Sequence, residues 1–569
     1  MTGVQTCALP ISLAVALESA GGYDPETLAI HLAEAGERER AGAYYAQAAA
    51  AAAETLAFER AANLYRLSLS LRPAAGEEGR KLRTALGDAL ANAGRGAEAA
   101  GVYREAEAQA GPADALELLR RAAYQYCVSG HVREGRAAMR ELLGRMGMTL
   151  PEKPGAVLVS LLARRARLRL RGLSFRERDE RAIPPEVLRE SDVTWSASAG
   201  LSMIDIIAGA SFQTRNLILA LRAGEPARIA RALAWEAAHS SNDGSPGWKR
   251  TRKLLDAADG LARRVGNPHP IAMATMARGV AEFTMGRWAA AVPLLGEAES
   301  ILRDRCTGVT WELDTAHTFS LWALVYQGKF AEMSGRAAQL AREAEERGDL
   351  YVQTNLGTFM QPHARLAADD PEGARAAVRR ALEMWSAEGF HLQDLTALMS
   401  DTLIDLYEGR GGAAWNRISG QWVAVKRSQM LRIQVLRIVL RHFRGRSALA
   451  AALAAADPRP SIRAALSDAR RIAREGIPWA APMAASLRAG AAALAGDRVS
   501  AAALLSAAAA GFDEAGMLSY ASAARRRLGE IEKGEEGARM VERADGELRA
   551  QGVENPAKMT RMHVTGFPD

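Results

Sequence analysis

The chain has 569 residues, of which 49% are hydrophobic and 24% are charged, and its formal net charge at pH 7 is +7. The length allows several domains, and the hydrophobic share is sufficient for packed cores. Only three cysteines are present, without metal-type spacing, which argues against a disulfide framework and a zinc site. No uncharged stretch reaches the roughly 18 apolar residues of a membrane span. We expect a cytoplasmic protein without a membrane span.

Residues 2–11, TGVQTCALPI, match the translation of a common short-read sequencing adapter, ACT GGA GTT CAG ACG TGT GCT CTT CCG ATC. We therefore expect residues 1–11 to be an adapter artefact and the natural sequence to begin at Ser12. The alternative is a genuine N-terminus that imitates a signal peptide, but it lacks the basic region that precedes such an apolar stretch. The match predicts a fragment whose upstream domains are missing.

One local pattern recurs along the chain: a glycine is followed by a charged residue and then by an apolar helix. It occurs at Gly94, Gly286, Gly328, Gly409 and Gly496. Glycine reaches positive φ without steric cost, so it suits the point where one helix ends and the next turns back. The apolar residues that follow leave each unit with a face that it cannot bury alone. The pattern predicts stacked helical hairpins.

The spacing supports this interpretation. Tyr65 recurs as Tyr103, 38 positions later, and the same frame reaches Met139. Asp370 followed by Pro371 is typical of a helix start, where aspartate caps and proline takes the first helical position. The period exceeds the 34 residues of an ideal tetratricopeptide unit. We predict an all-α fold of stacked antiparallel helical hairpins, a tetratricopeptide-like α-solenoid in two or three blocks.

Proline-rich and glycine-rich turns divide the chain. The first native helix is expected near Asp24, after an Asp-Pro-Glu start signal. The predicted divisions are N-terminal hairpins at 12–150, an Arg-rich helix and linker at 151–190, a middle block at 191–455, and a C-terminal helical block and tail at 456–569.

Eight arginines crowd the segment between Arg164 and Arg181. Such a run could attract nucleic acid or an anionic membrane. Interspersed leucines and the acids at its end favour a solvated helix and linker instead. We therefore expect no nucleic-acid partner, and we keep Arg167 and Arg169 as candidate surface residues.

Chemical motifs are scarce, because the sequence has no phosphate loop, no His-Glu-x-x-His pair and no nucleophile elbow. A cluster of Cys306, Glu312, Asp314 and His317 has the residue types of a thiol nucleophile with its base. The simpler interpretation is that Thr310 caps a helix and that the acids favour its N-terminus. We expect no catalytic residue, cofactor or metal in this chain, and a stand-alone cysteine-dependent enzyme stays as the less favoured alternative.

Tryptophans recur through the middle block, and at hairpin periodicity most are expected to fill the core, with one or two in a concave groove. Trp288, Trp311, Trp322 and His317 join the two arginines named above as the candidate interaction surface. The expected partner is a protein or peptide that binds in the concave groove.

Several stretches also resemble a known family. They are 31–41 (HLAEAGERERA), 56–62 (LAFERAA), 168–178 (LRLRGLSFRER), 305–315 (RCTGVTWELDT), 369–375 (DDPEGAR) and 552–557 (GVENPA). They are similar to the region that follows the ATPase module in large bacterial serine/threonine protein kinases fused to an AAA-type ATPase and tetratricopeptide-like repeats. The resemblance covers nearly everything after Ser12.

The resemblance implies that the intact protein is a signalling kinase with upstream kinase and ATPase domains. This chain would then be its regulatory or partner-sensing region. No catalytic residue carries over, since the kinase and ATPase motifs would lie upstream. The nearest alternative is the repeat region of an ATP-dependent transcriptional regulator that senses a ligand.

Overall fold

A computed structural model describes residues 13, 16–19, 24–73, 75–150 and 154–568. The predicted adapter segment 1–11 lies outside these residues. Across the described ranges the ordered elements are helices and no strand occurs. The chain is an all-α, tetratricopeptide-like solenoid, as predicted.

The helices follow one another with short connections throughout. In the first half they are Pro25–Glu34, Arg38–Glu54, Phe58–Leu71, Gly76–Asn92, Gly96–Glu107, Pro112–Val128, Val132–Arg145, Pro154–Arg171, Pro185–Ser202, Ile206–Ala223, Pro226–Ser241, Trp248–Val265 and Pro268–Thr284. In the second half they are Trp288–Arg305, Thr310–Gln327, Phe330–Arg347, Leu350–Asn355, Gln361–Ala367, Pro371–Met384, Leu392–Tyr407, Gly411–Gly420, Trp422–Arg427, Gln434–Ala452, Arg459–Ala473, Ala480–Leu494, Arg498–Glu514, Leu518–Glu532, Gly534–Ala550 and Pro556–His563. A π-helical turn lies at Leu356–Met360, and 3₁₀ turns lie at Glu180–Ala182, Ser245–Gly247 and Met430–Arg432.

The predicted hairpin turns are present at all five recurring glycines, whose φ angles lie between +73° and +80°. At the first of them, the N–H of Gly94 donates to Ala91 O (3.1 Å), and the N–H of Arg95 donates to Leu90 O (2.9 Å). These bonds satisfy carbonyls that the helix end would leave open. Each such turn reverses the chain within three residues, which makes consecutive helices antiparallel.

The hairpin frame drawn from the sequence is also confirmed at its core positions. Tyr65, Tyr103 and Met139 are 7%, 3% and 0% exposed, and each lies in the second helix of a hairpin. Both predicted aspartate caps form: Asp24 accepts from the N–H of Thr27, and Asp370 accepts from the N–H of Gly373.

Successive turns of the superhelix touch each other, a feature that no local pattern predicts. The contacts join residues 216 positions apart at Asn92 and Gly308, and 187 positions apart at Ile204 and His391. Further bonds between turns join Leu350 to Ser129, Gln434 to Asn242 and Glu554 to Ala367. One superhelical turn thus takes about two hundred residues, and the second turn lies directly on the first.

Buried side chains form one large cluster that runs from Leu119 to Phe567, and a second cluster that runs from Ala29 to Ala122. The large cluster includes residues that precede and follow the segment 151–190, and residues that precede and follow position 455. The division into blocks at those positions stays a prediction.

Candidate binding site

A groove of about 930 Å³ lies where the two turns of the superhelix face each other. The Arg-rich helix Pro154–Arg171 forms one wall, and residues 420–437 form the other. Bonds between turns close its base: His391 Nδ1 donates to Ile204 O (2.8 Å), and the N–H of Gln434 donates to Asn242 O (3.1 Å). The groove therefore contacts both turns.

The walls of the groove carry apolar side chains. Leu158 and Leu162 come from the Arg-rich helix, and Val423 comes from the opposite wall. Leu162 is 54% exposed and Val423 is 51% exposed. Large apolar groups facing each other across an open groove mark it as a place where apolar surface can be covered by a ligand or partner.

The groove has an excess of positive charge. Five arginines and two aspartates line it, namely Arg136, Arg165, Arg427, Arg432, Arg437, Asp205 and Asp243.

Several of these charges are already engaged. Asp205 caps the helix Ile206–Ala223, and Asp243 lies 3.3 Å from Arg165 Nη1. Arg437 forms a two-bond pair with Glu475, with both distances 2.6 Å. Within the described part of the chain, none of the other three arginines has a carboxylate partner. Arg432 Nε donates to Gln429 Oε1 (2.9 Å), a neutral partner, so the charges of these three guanidinium groups are not neutralised and favour an anion in the groove.

A smaller cavity of about 140 Å³ adjoins the groove. The two spaces share wall residues, among them Met203, Ile206 and Leu392. Seven aromatic side chains line the cavity: Trp235, Phe283, Phe319, Trp322, Tyr326, Tyr351 and Phe359.

The aromatic rings of the cavity meet edge to face. The centroids of Phe283 and Phe319 are 5.2 Å apart with an interplanar angle of 76°, and those of Phe319 and Trp322 are 5.5 Å apart at 72°. Such pairs are favourable beyond their buried area, so the aromatic contacts stabilise this apolar part of the wall. This geometry suits an apolar ligand group.

The π-helical turn Leu356–Met360 supplies part of this wall. Pro362 has no N–H to donate to Thr358 O, and that carbonyl accepts instead from Ser400 Oγ at 2.7 Å. The backbone widens there, and the N–H of Gln361 donates to Leu356 O. Phe359, within the turn, lines the cavity and lies 5.9 Å from Trp322.

His239 lies at the junction of groove and cavity and lines both. Burial, together with the nearby charge of Arg165, lowers the pKa of His239 to about 3. The imidazole is therefore neutral at physiological pH, and its Nε2 is 3.4 Å from Ser202 Oγ. The positive charge of the site belongs to the arginines of the groove and not to the cavity.

Two of the predicted surface tryptophans lie in the core. Trp311 is 2% exposed and lies between Trp195 and Trp235, with ring centroids 5.9 and 4.8 Å away. Trp288 is 1% exposed and stacks on Tyr326 at 4.7 Å. Neither ring is available at a surface. The sequence did not predict this, because hairpin periodicity marks a packed position but does not tell which side of the helix faces the groove. Trp322 does line the cavity.

His317 lies in a different pocket, of about 330 Å³, between the two turns. Its Nε2 is 3.4 Å from Glu299 Oε1. Arg167 and Arg169 are exposed, as predicted, but neither is among the groove-lining residues. The predicted surface residues therefore do not form one surface: they lie in the core, in the cavity, in a second pocket and on the exposed side of the Arg-rich helix.

The cysteine cluster is not assembled as a catalytic group in the described residues. Glu312 pairs with His269 Nε2 at 3.0 Å. Asp314 is paired with Asp349, and burial and this second carboxyl raise the pKa of Asp314 well above its usual range. Burial also raises the pKa of the Cys306 thiol, which makes it a weaker nucleophile. His317, the fourth member, pairs with Glu299 as described above.

Sequence reasoning missed most of the cavity wall, although one signal was available. Phe319, Trp322 and Tyr326 stand at i, i+3 and i+7, which places three aromatic rings on one helix face.

Across the described ranges, no helix is long and apolar enough to cross a membrane. Nor does that part of the chain contain a group of three or more His, Cys, Asp and Glu side chains that could hold a metal ion.

Comparison with known proteins gives no family. No sequence family matches the chain, and no curated protein matches it. Among solved structures, the APC/C hetero-tetramer Cut9-Hcn1 is similar at 12% identity and a TM-score of 0.32, covering 88% of this chain and 96% of that chain. Naa15/Naa10 bound to HypK-THB is similar at 12% identity and a TM-score of 0.25, covering 95% of this chain and 96% of that chain. Similarity at this level carries no argument about function.

Proposed function

We propose that this chain is a non-catalytic sensing and scaffolding region, and that it is the regulatory C-terminal part of a multidomain bacterial serine/threonine kinase–ATPase signalling protein. The observation that carries the sensing role is the basic groove that opens into an aromatic cavity between two superhelical turns. The kinase and ATPase context is supported by the resemblance of the stretches quoted from the sequence.

The position of the groove suggests how binding would be transmitted. A protein, peptide or ligand in it would contact the Arg-rich helix on one turn and residues 420–437 on the next. If the affinity for the ligand or partner depends on the distance between the two walls, binding would favour one arrangement of the two turns over another. Domains joined to the chain would respond to that shift without any chemistry in the repeats themselves.

The decisive experiment is to sequence the genomic region upstream of Ser12. A reading frame that continues into a serine/threonine kinase and an AAA-type ATPase would support the proposal. A stop codon in frame shortly before Ser12, or an upstream frame that encodes other domains, would overturn it. In parallel, the purified chain is expected not to hydrolyse ATP, since it has no recognisable phosphate loop or Mg²⁺ ligands.

A second candidate is the ligand-sensing repeat region of an ATP-dependent transcriptional regulator. The small aromatic cavity favours it, because a cavity of about 140 Å³ fits part of a small molecule better than a peptide backbone. The same sequencing decides between the two, since a DNA-binding domain would replace the kinase. The stand-alone cysteine enzyme has the least support, because its proposed groups are bonded to separate partners.

A further inference from the structure

We propose that the groove and cavity together bind a small amphipathic organic anion, whose apolar end enters the aromatic cavity and whose anionic group lies among the groove arginines. This inference rests on the proposed sensing function and names the ligand class for the same groove.

The apolar end of the ligand is assigned by the cavity. Its wall is mainly aromatic and aliphatic, with Phe283, Phe319 and Phe359 among its rings. Because the cavity is much smaller than the groove, about 140 Å³ against 930 Å³, only the end of an apolar chain fits inside it. The rest of the ligand's apolar chain would lie along Leu162 and Val423, whose side chains are about half exposed.

The anionic end is assigned by the arginines. Arg427 and Arg432 are exposed at the groove without a carboxylate partner among the described residues. Arg165 is only 14% exposed, and its Nε is buried without a hydrogen-bond acceptor in the same part of the chain. A carboxylate or sulfonate that accepts from the exposed Arg427 and Arg432 guanidinium groups would form charge-assisted hydrogen bonds with them.

The arrangement also selects against other ligand types. A cation would meet an excess of arginine over aspartate in the groove, while a neutral amphiphile would leave the guanidinium groups unmatched. A highly charged anion without an apolar part would leave the cavity unused. The combination of an apolar cavity and a basic mouth therefore specifies both ends of the ligand.

The test uses the purified chain and three probes of equal chain length: dodecanoate, dodecanol and dodecyltrimethylammonium, each below its aggregation concentration. Calorimetry and tryptophan fluorescence follow binding, since Trp235 and Trp322 line the cavity. We expect saturable dodecanoate binding that is at least about tenfold tighter than binding of the other two. Equal affinity for the three probes would overturn the proposal.

Variants then test each end of the site. The double variant Arg427→Gln/Arg432→Gln should weaken dodecanoate binding by about tenfold and leave dodecanol binding unchanged. Thr318→Phe, which fills the cavity, should weaken both. The matched control is Arg167→Gln/Arg169→Gln, which removes two exposed arginines of the Arg-rich helix that do not line the groove and should change nothing. If the control weakened binding as much as the groove variant, the effect would be general charge and the site would be wrong.

Failure of this inference is distinguishable from failure of the regulatory role. Absent dodecanoate binding together with upstream kinase and ATPase domains would reject the ligand class and keep the regulatory proposal. Specific dodecanoate binding in a chain without those domains would keep the ligand class and reject the regulatory proposal.

Discussion

The backbone of Gly286 lies against the indole ring of Trp479, which belongs to the next turn of the superhelix. A Cβ atom on Gly286 would be 2.1 Å from Trp479 Cδ1, and the φ angle of this glycine is +73°. Trp479 is 1% exposed. The glycine therefore serves two purposes, since it reverses the chain and leaves space for a tryptophan from the turn above.

Gly286→Ala should lower the free energy of unfolding by about 3 kcal/mol or more, because it adds a clash with a buried ring to the strain of positive φ. The matched control is Gly496→Ala, where φ is +80° and no atom lies within 4 Å of the added Cβ. That control should lose only about 1–2 kcal/mol. Chemical denaturation measures both, and equal losses would mean that the contact between turns adds nothing.

Tyr103→Asp should destabilise the chain by about 3–5 kcal/mol by burying an unpaired charge. Tyr103 is 3% exposed, and its hydroxyl donates to Asp88 Oδ1 at 2.6 Å, so the new carboxylate would also lie near an existing one. Tyr103→Phe should cost about 1 kcal/mol, the loss of one hydrogen bond. Arg167→Ala should stay within about 0.5 kcal/mol. Calorimetry that ranked these variants differently would contradict the hairpin frame.

Asn92→Ala should loosen the junction between the two turns at a cost of about 1 kcal/mol. Asn92 Oδ1 accepts from the N–H of Gly308 at 2.6 Å. The amide hydrogen of Gly308 should then exchange faster in a hydrogen–deuterium experiment. Asn63→Ala is the control, because Asn63 is exposed and, among the described residues, its side chain bonds only to Arg66 of its own helix. Unchanged exchange at Gly308 in the first variant would show that this bond does not hold the turns together.

The buried histidines His363 and His239 should each reduce the stability of the protein as pH falls below 6.5. Burial lowers the pKa of His363 to about 4 and that of His239 to about 3, from an ordinary value of 6.5. Between pH 6.5 and those pKa values, the two histidines bind protons in the unfolded chain but not in the folded chain. Each histidine therefore removes about 1.4 kcal/mol of stability per pH unit as pH falls. Urea midpoints from pH 7 to pH 5 measure the slope, which His363→Gln should reduce; an unchanged slope would contradict the assignment.

Local features of this fold could be predicted from sequence, because they are encoded within a few residues. The hairpin turns at Gly94 and Gly328, and the cap at Asp370, follow from steric and hydrogen-bonding rules that act over one helical turn. Thr310 shows the limit: it is the first residue of its helix and not the cap. Its hydroxyl donates instead to Ala91 O of the preceding superhelical turn at 3.4 Å.

The groove could not be predicted, because its two walls come from segments more than two hundred positions apart. Nothing in the periodicity near Leu162 specifies that Val423 will face it. For the same reason Trp311 was predicted at a surface: a hairpin pattern indicates a packed side, but the side that the second turn covers depends on the superhelical pitch. Trp322, a candidate surface residue from the sequence, lines the cavity, while its neighbour Phe359 depends on a π turn that the sequence analysis did not predict.

The contact between superhelical turns has a consequence for the chain as it is synthesised. Contacts such as Asn92 with Gly308 and Ile204 with His391 span 216 and 187 positions, so the first turn leaves the ribosome long before its partner exists. At about 5–20 residues per second, the wait is about 10–40 seconds. During that time the edge that will receive the second turn is open to other chains. We expect translation speed and nascent-chain chaperones to govern the yield of this protein more strongly than they do for a solenoid whose repeats contact only their neighbours.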